Sequence, residues 1–154
     1  MKQNETFRMM IEKCDFLFSS YVSWSLIEVL THPSDFFEQI EVIQPTLFAF
    51  QVALADTLKV FGIKPQAVIG HSMGEIAAAY VVGALTLEDA VLIICRRSQL
   101  IKSKVGQGGM LVTELSEAQA QELIRPHFPD VVIAVINSPR HTVLSGQKDI
   151  LIQI

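Results

Sequence analysis

The sequence predicts an α/β chain in two parts, on three observations. Apolar residues recur at helical spacing through most of residues 1–105. A Gly-x-Ser-x-Gly pentapeptide, Gly70-His71-Ser72-Met73-Gly74, sits between a short apolar run and an Ala-rich stretch. After the cluster Gly106-Gln107-Gly108-Gly109 the texture changes to short strand-like runs around one helical stretch. The boundary is placed there, dividing residues 1–105 from 106–154.

Phe7, Met10, Ile11, Cys14, Leu17 and Phe18 share one face of a helix. A short helix is expected over 25–30, followed by a turn at Thr31-His32-Pro33-Ser34. Pro45 is read as the first residue of the next helix, where its missing N–H costs nothing, and Gly62 stops that helix after Phe61. Lys64-Pro65-Gln66 reads as a turn and Ala67-Val68-Ile69 as a short, fully apolar strand. The pentapeptide follows, then a helix over 74–82, then one capped by Thr86 that runs to 103.

The second part reads as a strand (110–114), a helix capped by Ser116 with Gln119 at the third position, a strand (131–136), a turn at Asn137-Ser138-Pro139-Arg140, a strand (142–145) and a helix starting near Gln147. That order is βαββ plus the start of a helix, most of a ferredoxin-like unit (βαββαβ) without its last helix and strand. In the first part the strand at 67–69 has no convincing partner, although a serine raised on such a turn needs a sheet beneath it. The chain is therefore expected to be a central piece of something larger.

Half of the 154 residues are hydrophobic, mean hydropathy is +0.38 and net charge is −4. Lys and Arg form no runs, which argues against a nucleic-acid surface. No apolar stretch reaches the ~18 residues of a membrane span; the longest candidate, 67–85, is interrupted by Gly70, His71, Gly74, Glu75 and Gly83. The polar start Met1-Lys2-Gln3-Asn4-Glu5 has no signal-peptide core, so a cytoplasmic location is expected. Cys14 and Cys95 fall inside apolar-periodic segments and are expected as buried thiols, not a disulfide.

A hydroxyl is a poor nucleophile at neutral pH and needs help from its backbone and from a base. A Gly-x-Ser-x-Gly turn supplies the first: it lifts the serine Oγ clear, and small residues at 70 and 74 are expected to let the two flanking elements approach. Ser72 would stand at a helix N-terminus that favours developing negative charge, and the Met73 N–H would be one oxyanion donor. The competing reading is a Gly-rich turn with no chemistry.

Further segments extend the pattern. Gln44-Pro45-Thr46-Leu47-Phe48-Ala49, Phe61-Gly62-Ile63-Lys64-Pro65, the run from Gly70 to Tyr80, Gly83-Ala84-Leu85-Thr86-Leu87-Glu88-Asp89-Ala90, Arg97-Ser98, Gly108-Gly109-Met110 and Val135-Ile136-Asn137-Ser138-Pro139 together resemble the acyltransferase domain of modular polyketide synthases and fatty acid synthases. The resemblance covers nearly the whole chain. It implies an α/β-hydrolase-like core, here partial, with a ferredoxin-like small subdomain. It implies transfer of a malonyl-type acyl group from CoA to the phosphopantetheine of an acyl carrier protein through an acyl-serine, with no bound cofactor and with neighbouring synthase domains as partners. It places Ser72 as nucleophile, Arg97 as the clamp on the free carboxylate, Met73 at a pocket-shaping position and His71 in the same turn. An arginine suits that role because its planar fork holds a carboxylate bidentately. Arg96 points ~100° away around the same helix, so only one of the two can face the site.

The family's general base, a histidine, and its second oxyanion segment match nothing in these 154 residues, so the chain alone is expected to be inactive. His32 precedes a turn proline, and His127 and His141 fall in the second part. Two other readings stay open: a serine esterase or thioesterase with the same turn, and a non-catalytic remnant of a synthase. Arg97 separates the first, since a hydrolase of simple acyl chains has no use for a cation at the acyl terminus. The extender unit, malonyl or methylmalonyl, is not encoded in Met73 alone.

Overall fold

The computed structural model describes residues 4–32 and 39–154. The chain divides into two compact units, Met1–Ser103 and Lys104–Ile154.

The first unit is helical. Helix α1 (Glu5–Phe18) starts at Asn4, whose Oδ1 accepts from the Phe7 N–H at 2.9 Å. Its expected stripe is the buried one: Ile11, Cys14 and Phe18 are fully buried, with Phe7, Met10 and Leu17 packed around them. Helix α2 (Leu26–Thr31) is capped by Ser25. The Asp15 carboxylate of α1 fastens its start, accepting from Ser25 Oγ at 3.0 Å and from the Leu26 N–H at 2.6 Å. Thr31 and His32 close α2, and His32 is exposed with Nδ1 3.1 Å from Thr31 Oγ1. Pro33 and Ser34 of the expected turn lie outside the described residues.

Helix α3 spans Ile40–Val60, so Pro45 lies inside it and does not open it. The apolar stripe explains the difference. Val42, Pro45, Ala49 and Val52 fall on one face and are buried together, so the pyrrolidine ring fills core space while its missing N–H leaves only one early helical bond unmade. The helix ends as expected, with Phe61 as C-cap and Gly62 at φ +80°. On its other side Leu47, Phe50, Leu54 and Leu58 are exposed.

Residues 67–69 form no strand: they have no ladder partner among the described residues, and Ile69 is 97% exposed. Apolar character alone makes no strand where no neighbour takes up its backbone groups. Helix α4 (Gly74–Val81) follows, then α5 (Leu87–Lys102), which Thr86 caps through the Asp89 N–H. Phe18, Phe48, Val52, Val91 and Ile94 form the centre of the core, each contributing about 1.5–3 kcal/mol by burial. Cys14 and Cys95 are free, buried thiols in that cluster. Burial pushes both up to about 12.

The second unit has the order β1 (Gly109–Thr113), α6 (Glu117–His127), β2 (Val132–Ser138), β3 (His141–Gly146), α7 (Lys148–Leu151). Its three-stranded antiparallel sheet has the order β1-β3-β2. β1 and β2 both run antiparallel to β3 and so parallel to each other, with β3 between them. The Ser116–Gln119 capping box forms as the sequence predicts. Leu144, Ala120, Ile124, Val131 and Leu151 make the small core.

Among the described residues no helix is long and apolar enough to cross a membrane.

Candidate active site

The turn between residue 70 and α4 is held in a single, costly shape. Ser72 has φ +53°, and among the described residues it is the one non-glycine residue on the positive side. For an L-residue that conformation costs about 1–2 kcal/mol. Gly70 makes it possible: a Cβ there would lie 2.3 Å from the Glu75 Cα and 2.4 Å from its N, so any side chain would push the turn off the first residues of α4. Gly74, expected to be crowded in the same way, is not. A Cβ at 74 meets nothing within 4 Å, and the residue borders an open cavity.

The turn also sorts the backbone donors. The N–H groups of Gly74, Glu75 and Ile76 donate to the carbonyls of His71, Ser72 and Met73. The Met73 N–H donates to no backbone carbonyl among the described residues, so the oxyanion donor expected from the motif is not spent inside the turn.

The decisive contact crosses between elements. Arg97, on α5, is partly buried, and its Nη2 donates to Ser72 Oγ at 3.0 Å across 25 residues of sequence. Its Nη1 donates to Gln44 Oε1 of α3 at 2.6 Å. Arg96 points away as the helical geometry requires: it reaches Gln99 Oε1 at 3.3 Å, with its guanidinium 5.7 Å from the Tyr21 ring centroid. Of the two neighbouring arginines, the structure brings Arg97 to the serine.

Met73 and His71 line a cavity of about 510 Å³ behind the turn, together with Leu47, Val68, Ala77 and Val81. Ser72 and Arg97 do not line it. Met73 also packs on the helical core. His127 and His141 are engaged within their own unit, His127 by an edge contact to Phe128 and His141 by Ser138 Oγ, 2.9 Å from its Nδ1. Among the described residues no group of three or more His, Cys, Asp or Glu is placed to hold a metal ion.

Gln44 carries no role in the sequence reading, although it stands in the segment that begins the resemblance. Its one local signal is an amide side chain in the apolar first half of α3, directly before a buried proline.

This arrangement joins an exposed serine hydroxyl on a strained turn, a backbone N–H beside it that is not bonded to a backbone carbonyl among the described residues, and a cation aimed at the hydroxyl. A family model described as the acyl transferase domain matches residues 1–154. An erythronolide synthase of Saccharopolyspora erythraea is 39% identical over 153 residues, which is 98% of this chain and 4% of that protein. A mycoketide-CoA synthase of Mycobacterium tuberculosis is 43% identical over 143 residues, 92% of this chain and 3% of that protein. A loading acyltransferase from the avermectin modular polyketide synthase superposes with a TM-score of 0.90 at 34% identity, over 99% of this chain and 50% of that one. The chain belongs to the acyl transferase domain family, of the kind found in polyketide synthases. It spans a few per cent of the length of these curated relatives and half of the solved acyltransferase.

Proposed function

We propose that Ser72 is the nucleophile and Arg97 the carboxylate clamp of an acyltransferase that moves a malonyl-type acyl group from CoA to the phosphopantetheine thiol of an acyl carrier protein. The observation that carries this is the Arg97 Nη2 to Ser72 Oγ contact at 3.0 Å. An acyl group esterified to Ser72 would carry its free carboxylate within reach of the same guanidinium. A charge-assisted pair in a partly buried setting is worth about 1.5–3 kcal/mol, enough to sort carboxylated from simple acyl chains. That need for a cation favours a carboxyacyl transferase over a plain esterase.

In the proposed reaction a base takes the Ser72 hydroxyl proton as Oγ attacks the thioester carbonyl; the Oγ–C bond forms, the C–S bond breaks, and the CoA sulfur leaves with that proton as the thiol. The carrier thiol then gives its proton to the same base and attacks the acyl-serine; the new C–S bond forms, the C–Oγ bond breaks, and Oγ takes up the proton. The Met73 N–H faces the developing oxyanion. Arg97 only donates and cannot take the serine proton, so turnover needs a base that Arg97 does not supply. The 154 residues by themselves are accordingly expected to show no turnover.

The φ of Ser72 and the crowding at Gly70 support reading 70–74 as a nucleophile elbow. The open apolar side of α3, with Leu47, Leu54 and Leu58, supports an α/β-hydrolase-like core in which a sheet covers that face. The sheet order β1-β3-β2 supports a ferredoxin-like second unit, because β3 lies between the two strands that flank α6. The test is Ser72→Ala in the full-length protein that carries this sequence. Acyl-enzyme from radiolabelled malonyl-CoA should disappear, and label that persists on the variant would remove Ser72 as nucleophile.

A further inference from the structure

Helices α3 and α5 are bridged twice by a cation of α5 and an acceptor of α3, and the two bridges differ in charge. Lys102 pairs with the carboxylate of Glu41, and that contact holds Glu41 below its usual range against the opposing effect of burial. One turn further along α3, Arg97 meets the uncharged amide of Gln44. Arginine has no acceptor, so the amide must present its oxygen, as it does at 2.6 Å. A carboxylate at position 44 would make the stronger bond but would neutralise the guanidinium. An amide fixes it and leaves its charge free.

We propose that Gln44 is a positioning residue for Arg97: its neutral amide oxygen holds Nη1, so that Nη2 is aimed at Ser72 Oγ while the full positive charge stays available to an acyl carboxylate. This rests on the reading of Arg97 as the clamp. The backbone that carries Gln44 is itself fixed, because the next residue, Pro45, is fully buried. The guanidinium is thereby limited to one orientation before substrate arrives, and orientation set in advance is what makes an electrostatic contact selective.

The experiment measures malonyl and acetyl loading rates on the same preparation of the full-length protein, for the wild type, Gln44→Ala, Gln44→Glu, Arg97→Ala and the double variant Gln44→Ala/Arg97→Ala. A ratio of two substrates on one preparation is independent of the fraction folded. The malonyl-to-acetyl ratio should fall about tenfold in Gln44→Ala and about a hundredfold in the isosteric Gln44→Glu, whose carboxylate competes with that of the acyl group. In the double variant the ratio should match that of Arg97→Ala, since Gln44 acts only through Arg97. A wild-type ratio in Gln44→Glu, or equal losses on both acyl groups, would overturn the proposal. A collapsed ratio in Arg97→Ala beside unchanged Gln44 variants would overturn it while sparing the clamp. An unchanged ratio in Arg97→Ala would overturn both.

Discussion

The two units spend their polar side chains differently. In Lys104–Ile154 several go to the backbone: Ser116 and Gln119 cap α6, while across the sheet Thr113 Oγ1 donates to the Thr142 carbonyl at 2.9 Å and Thr142 Oγ1 donates to the Leu115 carbonyl at 2.8 Å. In Met1–Ser103 Asn4, Ser25 and Thr86 cap helices in the same way, but side chains also meet one another across elements: Ser25 Oγ donates to Asp15 Oδ1 at 3.0 Å, Tyr80 Oη donates to Asp56 Oδ2 at 2.8 Å, and Lys102 pairs with Glu41. Among these, Arg97, Gln44 and Ser72, from separate elements, satisfy one another across 53 and 25 residues of sequence. Caps and sheet pairing account for the contacts to backbone. Contacts between side chains of different elements serve no element's own backbone, and the one made by Arg97 Nη2 coincides with the strained φ of Ser72. What sets the contact at Ser72 apart from the other contacts between helices is that it falls on strained backbone.

That contrast predicts a double separation between chemistry and stability. Ser72→Gly should cost about 10⁴-fold or more in acyl transfer, yet leave the thermal midpoint unchanged or raised, because glycine accepts φ +53° without the penalty of an L-residue. A lowered midpoint, measured by calorimetry, would mean that the turn is not strained. The scaffold should do the reverse. Phe48→Ala and Leu144→Ala, both fully buried, should destabilise by about 3–5 and 2–5 kcal/mol in denaturant titrations, with no change in the malonyl-to-acetyl ratio of the folded fraction. A changed ratio would blur the distinction.

The thiols give a smaller effect with a definite sign. Cys14 and Cys95 are raised from 9.0 to about 12 by burial, so the unfolded chain ionises first. Their contribution is complete below pH ~9 and declines as pH rises towards about 12. A melting series across that window should show a falling midpoint that flattens in Cys14→Ala/Cys95→Ala, and an equal slope in the variant would contradict the assignment. His141→Ala should change least, within about 0.5 kcal/mol, since its bond to Ser138 is exposed.

Much of this was legible in the sequence, for reasons that are local. Ser25, Thr86 and Ser116 each accept from an N–H three residues on, which is a short-range event that residue type and spacing encode. The stripe of α1 is equally local. The start of α3 was not, because a buried proline and an N-terminal proline look alike until the packing of Val42 and Pro45 is known. Nor was the fate of 67–69, where strand formation depends on a partner and not on the three residues themselves. For the site, Ser72 stood out by its motif. The part of Arg97 came from the resemblance to acyltransferases, since spacing alone does not bring residue 97 to residue 72. Gln44 has no role legible in the sequence, because the orientation of one amide belongs to the packing of α3 against α5.

The contact between Arg97 and Ser72 is tested most directly by competition at the serine. The full-length protein is offered malonyl-CoA and acetyl-CoA together, and the acyl mass on the peptide containing Ser72 is read by mass spectrometry, in wild type and Arg97→Ala. The wild type should carry malonyl on Ser72, and the variant should shift towards acetyl by about ten- to a hundredfold, the value of one charge-assisted pair. An unchanged malonyl share in Arg97→Ala, or acyl groups found on a residue other than Ser72, would contradict the account.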